Sequence, residues 1–100
     1  MTIRHLNHLF EPASVAVFGA SDRPASVGGT VWRNLRSGGF KGPLYALNPR
    51  LTELDGAPVY AHAADLPGAP GLAVICTPPA VVPGLIEQLG ALGTRAAVVL

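Results

Sequence analysis

Residues 14–39 read SVAVFGASDRPASVGGTVWRNLRSGG, and this stretch decides the fold. Ser14–Gly19 is a short run rich in Val and Phe, apolar at consecutive positions, as expected of a parallel strand buried on both faces. Ala20–Ser26 is a polar loop containing Pro24. Val27–Ser37 then changes period: Val27, Val31 and Leu35 recur every four residues beside Trp32, which predicts a helix. Gly38-Gly39 supplies its C-terminal stop.

Working outward, the same alternation continues. Upstream, Ile3, Leu6, Leu9 and Phe10 have helical spacing, and Glu11-Pro12 ends that helix because a residue before proline avoids the helical region. Residues 1–13 thus read as a leader helix and 14–100 as the domain. Downstream, Leu44–Leu47 is a second strand closed by Asn48-Pro49, and Pro58–Tyr60 is an edge-like third. Asp65-Leu66-Pro67 starts a turn, and Leu72–Cys76 is a strong apolar strand closed by Thr77-Pro78-Pro79. Ala80–Leu92 reads as a helix with a stripe of Val81, Leu85, Leu89 and Leu92. Pro83 falls in its first turn, where the missing N–H costs little, and Gly93 ends it. Ala96–Leu100 is the last strand. The order β-α-β-β-β-α-β with short apolar strands predicts a doubly wound α/β domain, a parallel sheet with helices on both faces. A chain that stops on an apolar strand reads as a domain truncated at its C-terminus. The sheet face left open there leaves room for a homo-oligomer.

Composition narrows the function classes. Hydrophobic residues make up 49% and charged residues 13%, too apolar for a disordered chain. No stretch of 18 residues lacks a charge, Pro or Gly, so no membrane span is expected. A net charge of +1 excludes a general polycation for nucleic acid or membrane surfaces. The charge is unevenly spread. Residues 1–50 hold Arg4, Arg23, Arg33, Arg36, Lys41 and Arg50 against Glu11 and Asp22, a net +4. Residues 51–100 hold Arg95 against Glu53, Asp55, Asp65 and Glu87, a net −3. An anionic ligand favours the first half. The single Cys76 excludes a disulfide framework and a cysteine zinc site. No apolar segment of signal-peptide type follows the N-terminus, so the cytoplasm is the expected location. Six Arg to one Lys, with fifteen Ala, suggest a GC-rich bacterial genome.

In such sheets ligands bind beyond the carboxyl ends of the strands. Three loops qualify: Gly19–Gly28, Leu47–Arg50 and Cys76–Ala80. In the first, Gly19 admits close backbone approach, Ser21 offers a hydroxyl, Arg23 pairs an anion, and the helix start at Val27–Gly29 offers N–H groups. An ordinary βα turn explains the same residues. The G-x-G-x-x-G spacing is absent, and the second strand ends in Asn48-Pro49-Arg50 rather than the acid that would hold an NAD ribose. Arg50 favours a ligand with a ribose phosphate, which both NADP and coenzyme A carry. His5 and His8 share a helical face without a third metal ligand nearby, and His62 reads as a surface loop residue. Cys76 reads as a small apolar core residue, a mixed disulfide with CoA being the alternative. Trp32 reads as helix-to-sheet packing and Tyr45 as core. Nothing orients Ser21 and Asp22 with a histidine as a triad.

Residues 9–23 (LFEPASVAVFGASDR), 38–50 (GGFKGPLYALNPR) and 71–79 (GLAVICTPP) together resemble the N-terminal CoA-binding domain of NDP-forming acyl-CoA synthetases, of the acetate–CoA ligase and succinyl-CoA synthetase alpha type. The nearest subgroup is the one fused to a GNAT-type protein lysine acetyltransferase. The resemblance covers about residues 6–100 and implies a Rossmann-like fold that binds CoA or acyl-CoA. It implies that Gly19, Ala20, Ser21 and Arg23 wrap the pyrophosphate and pantetheine; Gly28, at the end of the same candidate loop, is counted with them as cofactor-binding. It places Asn48, Pro49 and Arg50 beside the adenosine and its ribose phosphate, and Thr77, Pro78 and Pro79 along the pantetheine arm. Family catalysis uses a phosphorylated histidine and an ATP/ADP-binding domain that lie in other parts of such synthetases, so no catalytic residue is assigned in this chain. In the GNAT-fused subgroup the module would instead sense acyl-CoA and regulate lysine acetylation. Two alternatives stand beside this reading. One is a stand-alone, non-catalytic CoA-binding protein. The other is an NADP-dependent reductase domain, opposed by the broken glycine spacing and the lack of a Tyr-x-x-x-Lys set.

Overall fold

The computed structural model describes residues 14–23, 25–38, 40 and 42–100. The expected leader helix over residues 1–13, with His5 and His8, lies outside them. The apolar run after Ser14 forms strand β1 (Val15–Phe18), and all four of its residues are buried. A strand with no polar face must be covered on both sides and flanked on both edges. β1 is central in a six-stranded sheet of order β3-β4-β2-β1-β5-β6. Its neighbours are β2 (Leu44–Leu47) and β5 (Leu72–Ile75), both parallel to it. β4 (Ala57–Tyr60) extends the sheet beyond β2, and β6 (Ala96–Val99) extends it beyond β5, again in parallel.

One strand departs from the expected order. β3 (Glu53–Leu54) pairs antiparallel with β4, Leu54 opposite Ala57. The connecting residues are Asp55 at φ 51° and Gly56 at φ 81°. Positive φ at both central positions is what a tight two-residue hairpin of type I′ requires, and Asp-Gly favours it. The sheet is therefore parallel with one antiparallel edge. The hairpin tip is tied to the first helix: Trp32 Nε1 donates to Asp55 Oδ2 at 3.2 Å, and the Arg36 guanidinium donates to the Asp55 carbonyl at 3.0 Å. Arg36 also sits 5.5 Å from the Trp32 ring centroid, a cation–π distance.

Helix α1 (Val27–Ser37) covers one face of the sheet. Ser26 caps it, its Oγ accepting from Gly29 N–H at 3.0 Å. The helix ends at Gly38, whose N–H bonds Asn34 O and whose φ of −83° is not left-handed. The buried side of α1 carries Gly28, Val31, Trp32 and Leu35. Val27, expected on that stripe, is 57% exposed, because the helical period of 3.6 selects position 28 rather than 27 beneath 31, 32 and 35. Trp32, 1% exposed, is the packing residue expected.

The other face is covered by a 3₁₀ turn at Ala63–Asp65, where only a simple turn was expected, and by helix α2 (Val82–Leu92). The residues before α2 form a separate 3₁₀ turn, Pro79–Val81, so the helix starts two residues later than expected. Pro83 lies in its first turn, and Gly93 at φ 97° closes it in the left-handed conformation. The buried stripe of α2 is Val82, Leu85 and Leu89; Val81 and Leu92 are 48% and 41% exposed. Tyr45 is half-buried on this face and meets Tyr60 edge-on at 6.1 Å. Also on this face, Ala97 and Val99 of β6 are exposed beside Ala73 and Ile75. No described helix is long and apolar enough to cross a membrane.

α1 rests directly on the turn after β1. A Cβ at Gly28 would stand 1.9 Å from the Gly19 carbonyl oxygen, a backbone atom that cannot swing aside. Gly28→Ala is therefore expected to lower unfolding free energy by about 2 kcal/mol or more, read by urea denaturation. Gly56→Ala meets nothing within 4 Å and carries only its positive φ, so about 1 kcal/mol is expected there. Equal losses at the two positions would overturn the contact argument.

Candidate functional site

The chain leaves β1 for α1 on one face and returns through β5 on the other side of β1. The carboxyl ends of β1, β2 and β5 therefore open around a switch point, where such sheets bind ligands. A cleft of about 630 Å³ lies there. Three loops make it, and backbone and side-chain bonds lock them together.

The first loop begins at Gly19, at φ 87°, whose N–H bonds Leu47 O at 2.9 Å. A Cβ here would lie 2.7 Å from Cys76 O, so the turn fits against the end of β5 only as glycine. Ser21 Oγ accepts from Arg23 N–H at 3.0 Å, which curls the loop and leaves the hydroxyl proton to donate elsewhere. Ser26 Oγ donates to Arg23 O at 3.1 Å and fixes the far end. At the helix start Gly29 N–H is already taken by this cap, so the expected row of open N–H groups is shorter than Val27–Gly29.

The second loop is set by Asn48. Its Nδ2 donates to Ala20 O at 2.9 Å, and its Oδ1 accepts from Arg50 N–H at 2.8 Å. One side chain thus holds the first loop and turns the second, projecting Pro49 and Arg50 outward. The third loop follows Cys76, whose N–H bonds Phe18 O at 2.8 Å. Thr77 Oγ1 is buried in it with no hydrogen-bond partner among the described residues. Burial pushes the Cys76 thiol above its ordinary range, which makes it a weaker nucleophile at neutral pH and fits a packing role.

Eight of the residues selected from the sequence line this cleft: Gly19, Ser21, Arg23, Asn48, Pro49, Arg50, Thr77 and Pro78. Ala20, Gly28 and Pro79 do not line it. Ala20 and Gly28 are buried behind the first loop, and Pro79 begins the 3₁₀ turn. Sequence reasoning missed Leu51, Ala61, His62, Val81 and Leu85 as lining residues. Parallel pairing of β4 with β2 brings Ala61 and His62 to the same end as Arg50, and that pairing was the available signal. Leu47, Leu51, Val81 and Leu85 give the cleft apolar walls. The Arg23 and Arg50 guanidiniums are exposed and form no ion pair or hydrogen bond with another described residue. Asp22 is the one carboxylate among the lining residues. Two available cations and apolar walls suit a phosphorylated, partly apolar molecule in the size range of small-ligand clefts.

Comparison with known proteins agrees. An ADP-forming acetate–CoA ligase I of Archaeoglobus fulgidus is 39% identical over 95 residues, 95% of this chain. A trans-feruloyl-CoA synthase from an unknown prokaryotic organism is 38% identical over 96 residues, 96% of this chain. The chain spans 14% of the length of each. The solved structure of the dinucleotide-forming acetyl-coenzyme A synthetase 1 of Ca. Korarchaeum cryptofilum, in complex with phosphate and ADP, superposes with a TM-score of 0.86. Its identity is 41%, over 92% of this chain and 20% of that one. The family model of the CoA binding domain matches residues 13–100. That match runs through every strand and both helices described above, and the chain belongs to the CoA-binding domain family.

Proposed function

We propose that the cleft binds coenzyme A or its thioester, and that the chain acts as the CoA-binding domain of an ADP-forming acyl-CoA synthetase of acetate–CoA ligase type. The observation that carries this reading is Arg50. It stands on the loop after β2, in the place where an NAD-binding domain needs an acid, with its guanidinium turned to no described partner. CoA brings a ribose 3′-phosphate for such a cation, and its thiol supplies the thioester chemistry. Arg23 and Ser21 hold the pyrophosphate, and Thr77 and Pro78 border the pantetheine arm. Ala20, Gly28 and Pro79 shape the loops from behind.

Relatives named for acetate and for trans-feruloyl substrates match this segment almost equally, at 39% and 38%. That supports assigning the segment to the shared CoA rather than to the acyl group. Nucleotide, acyl substrate and phosphoryl-transfer steps belong to other domains or subunits of the parent enzyme. A chain that joins this module to a GNAT-type acetyltransferase would use the same cleft to sense acyl-CoA. Acetyltransferase assay of the parent protein separates the two settings.

Calorimetric titration with CoA and dephospho-CoA tests the reading. Wild-type protein is expected to prefer CoA. Arg50→Ala is expected to lose roughly ten- to a hundredfold of CoA affinity, the value of one charge-assisted contact, while dephospho-CoA affinity holds. Arg23→Ala should weaken both ligands alike. Failure of the wild-type protein to bind CoA would overturn the reading, and equal losses at Arg50 would remove its phosphate role.

Alkylation of Cys76 gives an independent check. A raised thiol pKa lowers the thiolate fraction at any given pH, so the rate profile with iodoacetamide should shift to higher pH than that of an open thiol. Saturating CoA should slow the reaction further, since Cys76 lines the cleft. A rate unchanged by CoA would place the ligand elsewhere.

A further inference from the structure

His62 lines the same cleft from the segment just past β4, where no motif pointed to a site residue. The register pairs Leu47 with Tyr60, and Asn48 N–H bonds Tyr60 O at 3.0 Å. His62 therefore lies two residues past β4 just as Pro49 lies two residues past β2, and both line the cleft beside Arg50. Its backbone is extended, φ −135° and ψ 151°, and occupies the cap position of the Ala63–Asp65 turn. That position favours Ser, Thr, Asp or Asn, whose short side chains bond the turn's N–H groups. The imidazole makes no such bond and is exposed toward solvent. A residue ill-suited to its local turn, yet placed on the wall of a binding cleft, marks a position where ligand contact outweighs local preference.

The chemistry of a phosphate monoester supplies the reason. It carries close to two negative charges at neutral pH and three strong acceptor oxygens. One guanidinium engages two of those oxygens. Arg50 alone leaves the third oxygen and part of the charge without a protein partner. An imidazole N–H at the end of the neighbouring strand is a further donor on the same cleft wall. Resting on the CoA reading above, we propose that His62 is a specificity-determining residue that donates an N–H to the ribose 3′-phosphate beside Arg50.

The test is calorimetry of the whole protein with CoA and dephospho-CoA, for wild type, His62→Ser and His62→Lys. Serine suits the cap position, so His62→Ser is expected to fold as well as the parent, as checked by urea denaturation. His62→Ser should weaken CoA about three- to tenfold, the range of one partly exposed hydrogen bond, and leave dephospho-CoA within about twofold. His62→Lys should restore most of the CoA affinity, since it returns an N–H donor. In an Arg50→Ala background the His62→Ser loss should shrink, because both residues act on one phosphate. Equal weakening of both ligands would assign His62 to the adenosine and overturn the phosphate contact, and no weakening would remove it from the site. Should Arg50→Ala discriminate between the ligands while His62→Ser is silent, this inference alone fails. A wild-type protein that binds neither ligand overturns the CoA reading itself.

Discussion

Three backbones meet at the turn after β1, and two glycines allow it. Gly19 fits its bare α-carbon against Cys76 O, and Gly28 brings helix α1 down onto the Gly19 carbonyl. With side chains at these positions the helix would lift from the sheet and β5 would separate from β1. The loop between the glycines would then lose its fixed ends. Everything the cleft offers is hung from this contact. The family fingerprint for dinucleotides spaces three glycines closely to reach a similar end. Here the same steric requirement is met by glycines nine residues apart.

The loops owe their mutual order to very few polar contacts. Asn48 bonds the first loop through Nδ2 and its own turn through Oδ1, so the positions of Arg23 and Arg50 are coupled through one amide. The Asp55–Gly56 hairpin does the same from the outside. By pinning Asp55 to Trp32 and Arg36, it holds β3 against β4 and so braces the chain between Arg50 and Thr52. The cations themselves stay exposed and outside these networks, which leaves their charge available to a ligand rather than spent internally.

Much of this was legible in the sequence, for physical reasons that differ by element. The bounds of α1 were readable because its apolar period follows a polar loop and Gly38 closes it. β1, β2 and β5 stood out because strands buried on both faces are apolar throughout. Loops that follow such strands must surround the switch point, and this is why eight selected residues converge. β3 was missed although Asp55-Gly56 is a strong hairpin signal: its two residues are too few to show alternation, and Pro58 in its partner argues against pairing. The stripe of α2 was legible at Leu85 and Leu89, but its first member is Val82 rather than Val81 because Pro79–Val81 winds as a separate 3₁₀ turn, and its last, Leu92, is exposed. His62 was invisible as a cleft residue because nothing local indicates it; only the pairing of β4 with β2 brings it there.

The placement of β1 also governs how the molecule can be made. The first strand of the sheet to leave the ribosome is the one that needs partners on both edges. β2 begins 29 residues after β1, but β5, with Ser14 Oγ accepting from Gly71 N–H, comes 57 residues later. At ordinary elongation rates that is a wait of roughly 3–11 seconds. Through it, the most completely buried of the described strands keeps one edge of unpaired amides and carbonyls. The nascent protein thus passes through an obligatory half-sheet, held shut on one side by α1 and β2 and open on the other. Protection of that edge during translation is a demand the finished structure no longer shows.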